Sequence, residues 1–521
     1  MNQRMKIVAA LGALTVALAC NDKQFLTEQP FDFIGPSNFY HNAGDALAAV
    51  NGIYADFINS TGDNYYGRNF VMLAEHTTEM WTSRLSATNE RSQPDVYALP
   101  VSHAYVQSVW ASAYDAINRA NSVLDHVPGI DMDTTLRSRI VAEAKFLRAL
   151  HYFNLVRMWG GVPLKLHETL GLDSLSIPRN TAQEVYAQIE QDLKDAIAVL
   201  PQAKTYTGGD IGRAARGAAK TLLAKVYLQR AGTGVGTAAD WASALATSKQ
   251  VQTDAEYSLV SDYKTLFDFI GGTVNERNSE VIFDVQNIRA PGLGGRIGSH
   301  VAPNATAPFL GASTNGSFEA ESIWFASFRT DDKRRDGTFV LSWNRNGTVV
   351  SWAQNSTASS PYASETPFPR KFLDPLMTGT GAEEPNYIVL RYAEVLLMIA
   401  ESANEVSSGP TAEAYAAVNA VRTRAGIPSL TPGLNHDLFR DSVFNERRWE
   451  LSLEGPNGYF DSQRNWNWSK ARIEQSMKFA RSSSSKFPKA NNTPIADKYK
   501  LFPIPQRALD LNPKLTQNPG W

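Results

Sequence analysis

Charged residues set inside an apolar run constrain this chain more than any other feature. From Val389 to Asn404 the sequence places Arg391, Glu394 and Glu401 among Leu390, Tyr392, Val395, Leu396, Leu397, Met398, Ile399 and Ala400. A helix that is apolar nearly all round is buried. Glu394 and Glu401 are seven residues apart and so share one of its faces. A buried carboxylate is tolerable only when paired and hydrogen-bonded. The matching stretch is Asn445 to Trp466, where Glu446, Arg447, Arg448, Glu450 and Glu454 interleave with Phe444, Trp449 and Leu451 before Gly455 and Pro456 stop the helical pattern. The expectation is a structural ion pair in which Arg447 or Arg448 crosses to Glu394 or Glu401.

Length and charge narrow the class. A chain of 521 residues that is 43% hydrophobic can bury a substantial core. Its 50 basic and 52 acidic residues nearly cancel, which gives no electrostatic reason to expect a nucleic-acid partner. The N-terminus reads as a processing signal over residues 1–19: Arg4 and Lys6 precede the apolar run Ile7 to Leu18, and Ala17-Leu18-Ala19 leads into Cys20. Cys20 is the only cysteine, so intrachain disulfides and cysteine-rich metal sites are excluded, and lipid attachment is its natural use. The commonest lipoprotein pattern has Leu where this chain has Ala17, and a secretory signal cut nearby remains the alternative. Residues 20–44, with Gln29-Pro30 and Gly35-Pro36, read as a lipid-anchored tether.

From residue 45 to 260 helical periodicity recurs between Gly and Pro stops. Helices are expected over Gly44–Asn59, Tyr105–Val127, Thr134–Trp159, Thr181–Leu200, Ala214–Ala231 and Ala239–Thr253. Aromatic-bearing helices alternate with small-residue ones, as in Ala214, Ala215, Gly217, Ala218 and Ala219, and the arrangement returns in Tyr387–Val406 with Thr411–Arg424. The fold class is therefore mainly α, a tetratricopeptide-like scaffold of helical hairpins. No strict repeat period is visible, so periodicity alone leaves an irregular bundle open. Residues 261–385 differ: Gly-Gly, Asn-Gly and Ser/Thr/Pro-rich stretches break a loop-rich insertion with short strands, and residues 386–521 complete the scaffold.

No catalytic constellation stands out. The chain lacks a phosphate-binding Gly-rich loop, a His-Glu-x-x-His and a Gly-x-Ser-x-Gly, and no metal or cofactor is called for. Adjacent carboxylates at Asp331-Asp332 and Glu383-Glu384 do not face one another across a substrate, which disfavours an anchored hydrolase. The mixture that binds sugars is better represented, because aromatic platforms match apolar sugar faces and amides and guanidinia match hydroxyl edges. One such region is the loop carrying Trp81, Arg84 and Asn89. The other is the insertion, with Trp324, Trp343 and Trp352, each of which could instead pack between insertion and scaffold.

Three strings carry a family resemblance: Leu390 to Glu401; Glu446 to Leu451 with Glu454-Gly455, Tyr459 to Asp461 and Arg464 to Trp466; and Leu501 to Pro505 through Asn512-Pro513 to Trp521. In their order and position the chain resembles the SusD/RagB nutrient-binding outer-membrane lipoproteins. The resemblance implies four tetratricopeptide-like repeats, a ligand arc to which Trp81 and Arg84 match by position, and an outward-facing place on the outer membrane. It also implies a SusC-like TonB-dependent transporter as partner and an oligosaccharide or a peptide as ligand.

Overall fold

The computed structural model describes residues 39–58, 65–83, 89–171, 175–270, 273–274, 278–290, 292–301, 316–345, 348–351, 367–377, 379, 381–482 and 494–521. The protein is mainly helical. Its long helices are α1 (Ala43–Ala55), α2 (Asn69–His76), α3 (Ala104–His126), α4 (Thr134–Trp159), α5 (Ala182–Val199), α6 (Arg216–Gly232) and α7 (Ala239–Thr253), followed after the insertion by α8 (Tyr392–Val406), α9 (Ala412–Ala425), α10 (His436–Leu451), α11 (Asn457–Arg464) and α12 (Trp466–Ser482). Sequence signals set the ends. Asp133 caps α4 by accepting from Leu136 N, Thr181 and Glu184 form a reciprocal capping box on α5, and Thr411 caps α9, which closes on the left-handed Gly426.

Each long helix packs on the next: α1 on α3, α3 on α4, α4 on α5, α5 on α6, α6 on α7, α7 on α8, and α8 on both α9 and α10. This is the tetratricopeptide-like superhelix expected from the alternation of bulky and small faces. Ala214, Gly217, Ala218 and Ala219 are all buried, so the small face of α6 does lie against its neighbours. The insertion interrupts the stack between α7 and α8 without leaving it. Its strand β2 (Val281–Val285) runs antiparallel to β6 (Tyr387–Arg391), directly before α8. The sequence pattern assigns Val389–Arg391 to the buried helix; these residues are strand, and Arg391 is the N-cap residue of α8. Shorter pairs join β1 (Trp81–Ser83) to β3 (Phe318–Ala320), and β4 (Ser342–Arg345) to β5 (Thr348–Ser351). Among the described residues, no helix is long and apolar enough to cross a membrane.

Candidate functional site

The charges that dominate the sequence assemble into two buried networks. In the first, Arg447 on α10 donates to Asp461 on α11 (2.8 Å) and reaches Glu394 on α8 (3.2 Å). Lys225 on α6 also meets Glu394 (2.8 Å). Arg448 points elsewhere and pairs with Glu79 (2.6 Å), while Glu401 pairs with Arg464 (3.0 Å), so of the alternatives the pair that crosses is Arg447 with Glu394. The reason is helical geometry: Arg447 and Arg448 are neighbours in sequence and project about 100° apart. Burial lowers Lys225 to about 8 even beside Glu394.

The second network is larger and lies on the insertion side. Arg391 donates to Glu280 (2.7 Å), Glu450 and Glu454; Arg334 to Asp332 (2.7 Å) and Glu446 (2.6 Å); Arg424 to Glu280 (3.0 Å) and Glu450; Lys371 to Glu454 (2.6 Å); Arg422 to Glu446 (2.7 Å). Five cations therefore face five carboxylates, and the charges cancel. Burial alone would raise Glu450, but Arg424, Arg391 and Arg334 together hold it far below the usual carboxylate range. Cancelled, buried charge of this kind locks α8, α10 and the insertion together.

The expected aromatic platforms lie in the core. Trp81 is 0% exposed and Trp324 2%; their rings meet edge to face at 4.8 Å, with Phe339 and Phe328 against Trp324 at 5.1 and 5.3 Å. Trp81 is buried because β1 pairs with β3, which puts it opposite Ala320. Neither ring presents a face to a ligand, so Trp81 and Trp324 are core residues and not the binding platforms the sequence suggests. Asn89 is exposed, and its Oδ1 accepts from Arg91 N (3.0 Å) in a tight turn. Arg84, Trp352 and the side chain of Trp343 lie outside the described residues.

A cleft of about 860 Å³ lies between α1, α3, the turn before α6 and the strand-to-loop segment after β2. Asp56, Ser112, Asp115 and Arg119 line one wall, Asp284, Gln286, Asn287 and Asn386 the other, and Phe57, Ile211, Ile288 and Leu293 supply apolar surface. Gly212, with φ of +94°, is required at its end: a Cβ there would sit 1.7 Å from Nε2 of Gln286. Burial pushes Asp56 up to about 6, offset in part by Arg119, and pushes Asp284 up to about 6 although Asn386 Nδ2 donates to it (2.9 Å). Sequence reading missed this cleft. Its one signal was Asp284 inside the strand Val281–Val285, a carboxylate at an otherwise apolar position.

Residues 313–521 match a family model described as the SusD family, and residues 38–228 one described as "Starch-binding associating with outer membrane". "SusD-like protein P25" of Formosa agariphila is 26% identical over 491 residues, covering 86% of this chain and 88% of that protein. A crystal structure of a SusD homolog from Bacteroides thetaiotaomicron superposes with a TM-score of 0.79 at 27% identity, covering 93% of this chain and 98% of the other. A structure titled "Laminarin binding SusD-like protein" does so with a TM-score of 0.74 at 25% identity, over 92% and 100%. Both ends of the chain match models of one family and the whole fold follows its structures: the chain belongs to the SusD family.

Proposed function

We propose that this protein is a non-catalytic glycan-binding lipoprotein of the outer membrane, held by a lipid on Cys20 and facing the cell exterior. It captures oligosaccharides and passes them to a SusC-like TonB-dependent transporter. The observation that carries the reading is the match of residues 38–228 to a model described as starch-binding and associating with the outer membrane. The laminarin-binding neighbour supports the same ligand class. Two observations on the molecule agree with binding rather than turnover. Its densest charge is cancelled and buried in the two networks, and the cleft between α1 and α3 joins polar groups to apolar walls, the combination a sugar requires.

The test is titration calorimetry of the soluble chain with neutral oligosaccharides, followed by product analysis after prolonged incubation. Binding without new reducing ends supports the reading. Release of shorter sugars, or binding of peptides with no glycan bound, refutes it. Mass spectrometry of the protein extracted from membranes tests the anchor: an unmodified Cys20 rejects lipidation. Co-purification with a large barrel transporter tests the partner.

A further inference from the structure

The cleft between α1, α3 and the segment after β2 has an uneven hydrogen-bond inventory. Its cations are already engaged. Arg213 donates to Glu143 (3.0 Å), Asp210 (2.8 Å) and Asn51 Oδ1 (2.7 Å), and Arg119 faces Asp56 (3.1 Å) and the Gly52 carbonyl (3.4 Å). The Tyr54 hydroxyl donates to Glu143 (2.9 Å) while accepting from Ala214 N (2.9 Å). The wall amides Asn287 and Asn386 each spend a donor on the protein as well: Asn287 Nδ2 on the Pro385 carbonyl (2.7 Å) and Asn386 Nδ2 on Asp284 (2.9 Å).

Among the charged groups of the lining, acceptors are what remain. Asn287 is only 6% exposed and its Oδ1 has no hydrogen-bond partner, an arrangement that costs free energy until a donor arrives. Asp115 stands exposed on α3, and Asp56 and Asp284 each keep a carboxylate lining the same space. Three carboxylates on one space, with both cations turned to protein partners, favour a ligand that brings donors and no negative charge. Ile288 and Leu293, 55% and 53% exposed at the mouth, offer apolar surface to the flat face of a ring. A volume of about 860 Å³ is ample for a small-molecule site.

We infer that this cleft binds a neutral, hydroxyl-rich oligosaccharide, its hydroxyls donating to Asp56, Asp115, Asp284 and Asn287 Oδ1, and that it discriminates against acidic glycans. The inference rests on the glycan-binding reading above and adds the site and the charge class of the ligand.

The experiment is calorimetry of the soluble chain with maltohexaose, laminarihexaose, cellohexaose, mannohexaose and hexagalacturonate, on wild type, Ser112→Trp and Asp115→Asn. Ser112→Trp fills the cleft from α3, and Asp115→Asn removes one exposed charged acceptor without touching the core. The expected result is that at least one neutral hexaose binds, Ser112→Trp abolishes its binding, Asp115→Asn weakens it about tenfold, and hexagalacturonate does not bind. Unchanged affinity in Asp115→Asn and in a folded Ser112→Trp overturns the cleft assignment while leaving glycan binding intact. Hexagalacturonate binding that Ser112→Trp abolishes overturns the charge selection. Failure of the wild type to bind any neutral hexaose overturns both the cleft assignment and the reading beneath it.

Discussion

Replacing Arg391 by Met should destabilise the fold more than almost any other single change that leaves side-chain length intact. Arg391 is 1% exposed and its guanidinium reaches Glu280, Glu450 and Glu454 together, with a further bond to the Glu450 carbonyl (2.6 Å). With it the network holds five cations against five carboxylates; without it four face five, in a region closed to water. Leaving one buried charge uncompensated costs about 3–5 kcal/mol. A chain of this size unfolds with an entropy on the order of 1 kcal/mol per kelvin, so the melting temperature should fall by about 3–5 °C. Scanning calorimetry of the soluble chain measures this, with Arg329→Met as control, because Arg329 pairs with Asp331 in solvent. Acid adds a second readout. Glu450 is depressed below its ordinary value of 4.5, so its contribution is present above that pH and is lost as pH falls. In Arg391→Met a network carboxylate can take up a proton instead, and the gap between variant and wild type should narrow from pH 7 to pH 4. A melting temperature equal to that of the control, or a gap that does not change with pH, refutes the reasoning.

Three other outcomes follow from the same structure. Trp81→Ala should lower stability by about 3–5 kcal/mol, since the ring is fully buried against Trp324; unchanged thermal unfolding would show that the ring does not sit in the core. Glu75→Gln should flatten the pH dependence of stability: burial raises Glu75 from 4.5 to about 8, so its favourable share is complete below 4.5 and is lost as pH rises through about 8. The variant should match wild type near pH 5 and exceed it by up to about 5 kcal/mol at pH 8.5, read from denaturant midpoints. Gly455→Ala should cost about 1–3 kcal/mol, because φ is +51° and a Cβ would lie 2.8 Å from the Val389 carbonyl; an unshifted urea midpoint would count against the strained turn.

The scaffold was legible in the sequence because helix signals are local. Periodicity and stop residues located Thr134–Trp159 and Ala239–Thr253 to the residue. The tail of one reading failed for a non-local reason: Val389–Arg391 carries the same apolar character as the helix after it, and only pairing with Val281–Val285 makes it strand. Ion pairs were legible in kind but not in partner. Buried acids demanded cations, yet the choice of Arg447 over Arg448 for Glu394, and of Arg464 for Glu401, depends on where α10 and α11 face, which spacing within one helix does not encode.

Aromatics misled for a different physical reason. A tryptophan beside polar residues reads the same whether it stacks on a sugar or closes a core, because both settings desolvate the ring and place polar groups at its rim. Trp81 is decided by a three-residue pairing with Phe318–Ala320, more than two hundred positions away. What separates a binding surface from a core is instead the bookkeeping of hydrogen bonds. A core leaves few polar atoms unmatched, whereas a binding cleft keeps some in reserve for its ligand. The aromatic cluster around Trp324 is packing on a different ground: its rings are buried against one another and no face is open to a ligand. The cleft that leaves Asn287 Oδ1 and Asp115 without donors, with Arg119 and Arg213 turned to protein partners, is where recognition should be sought.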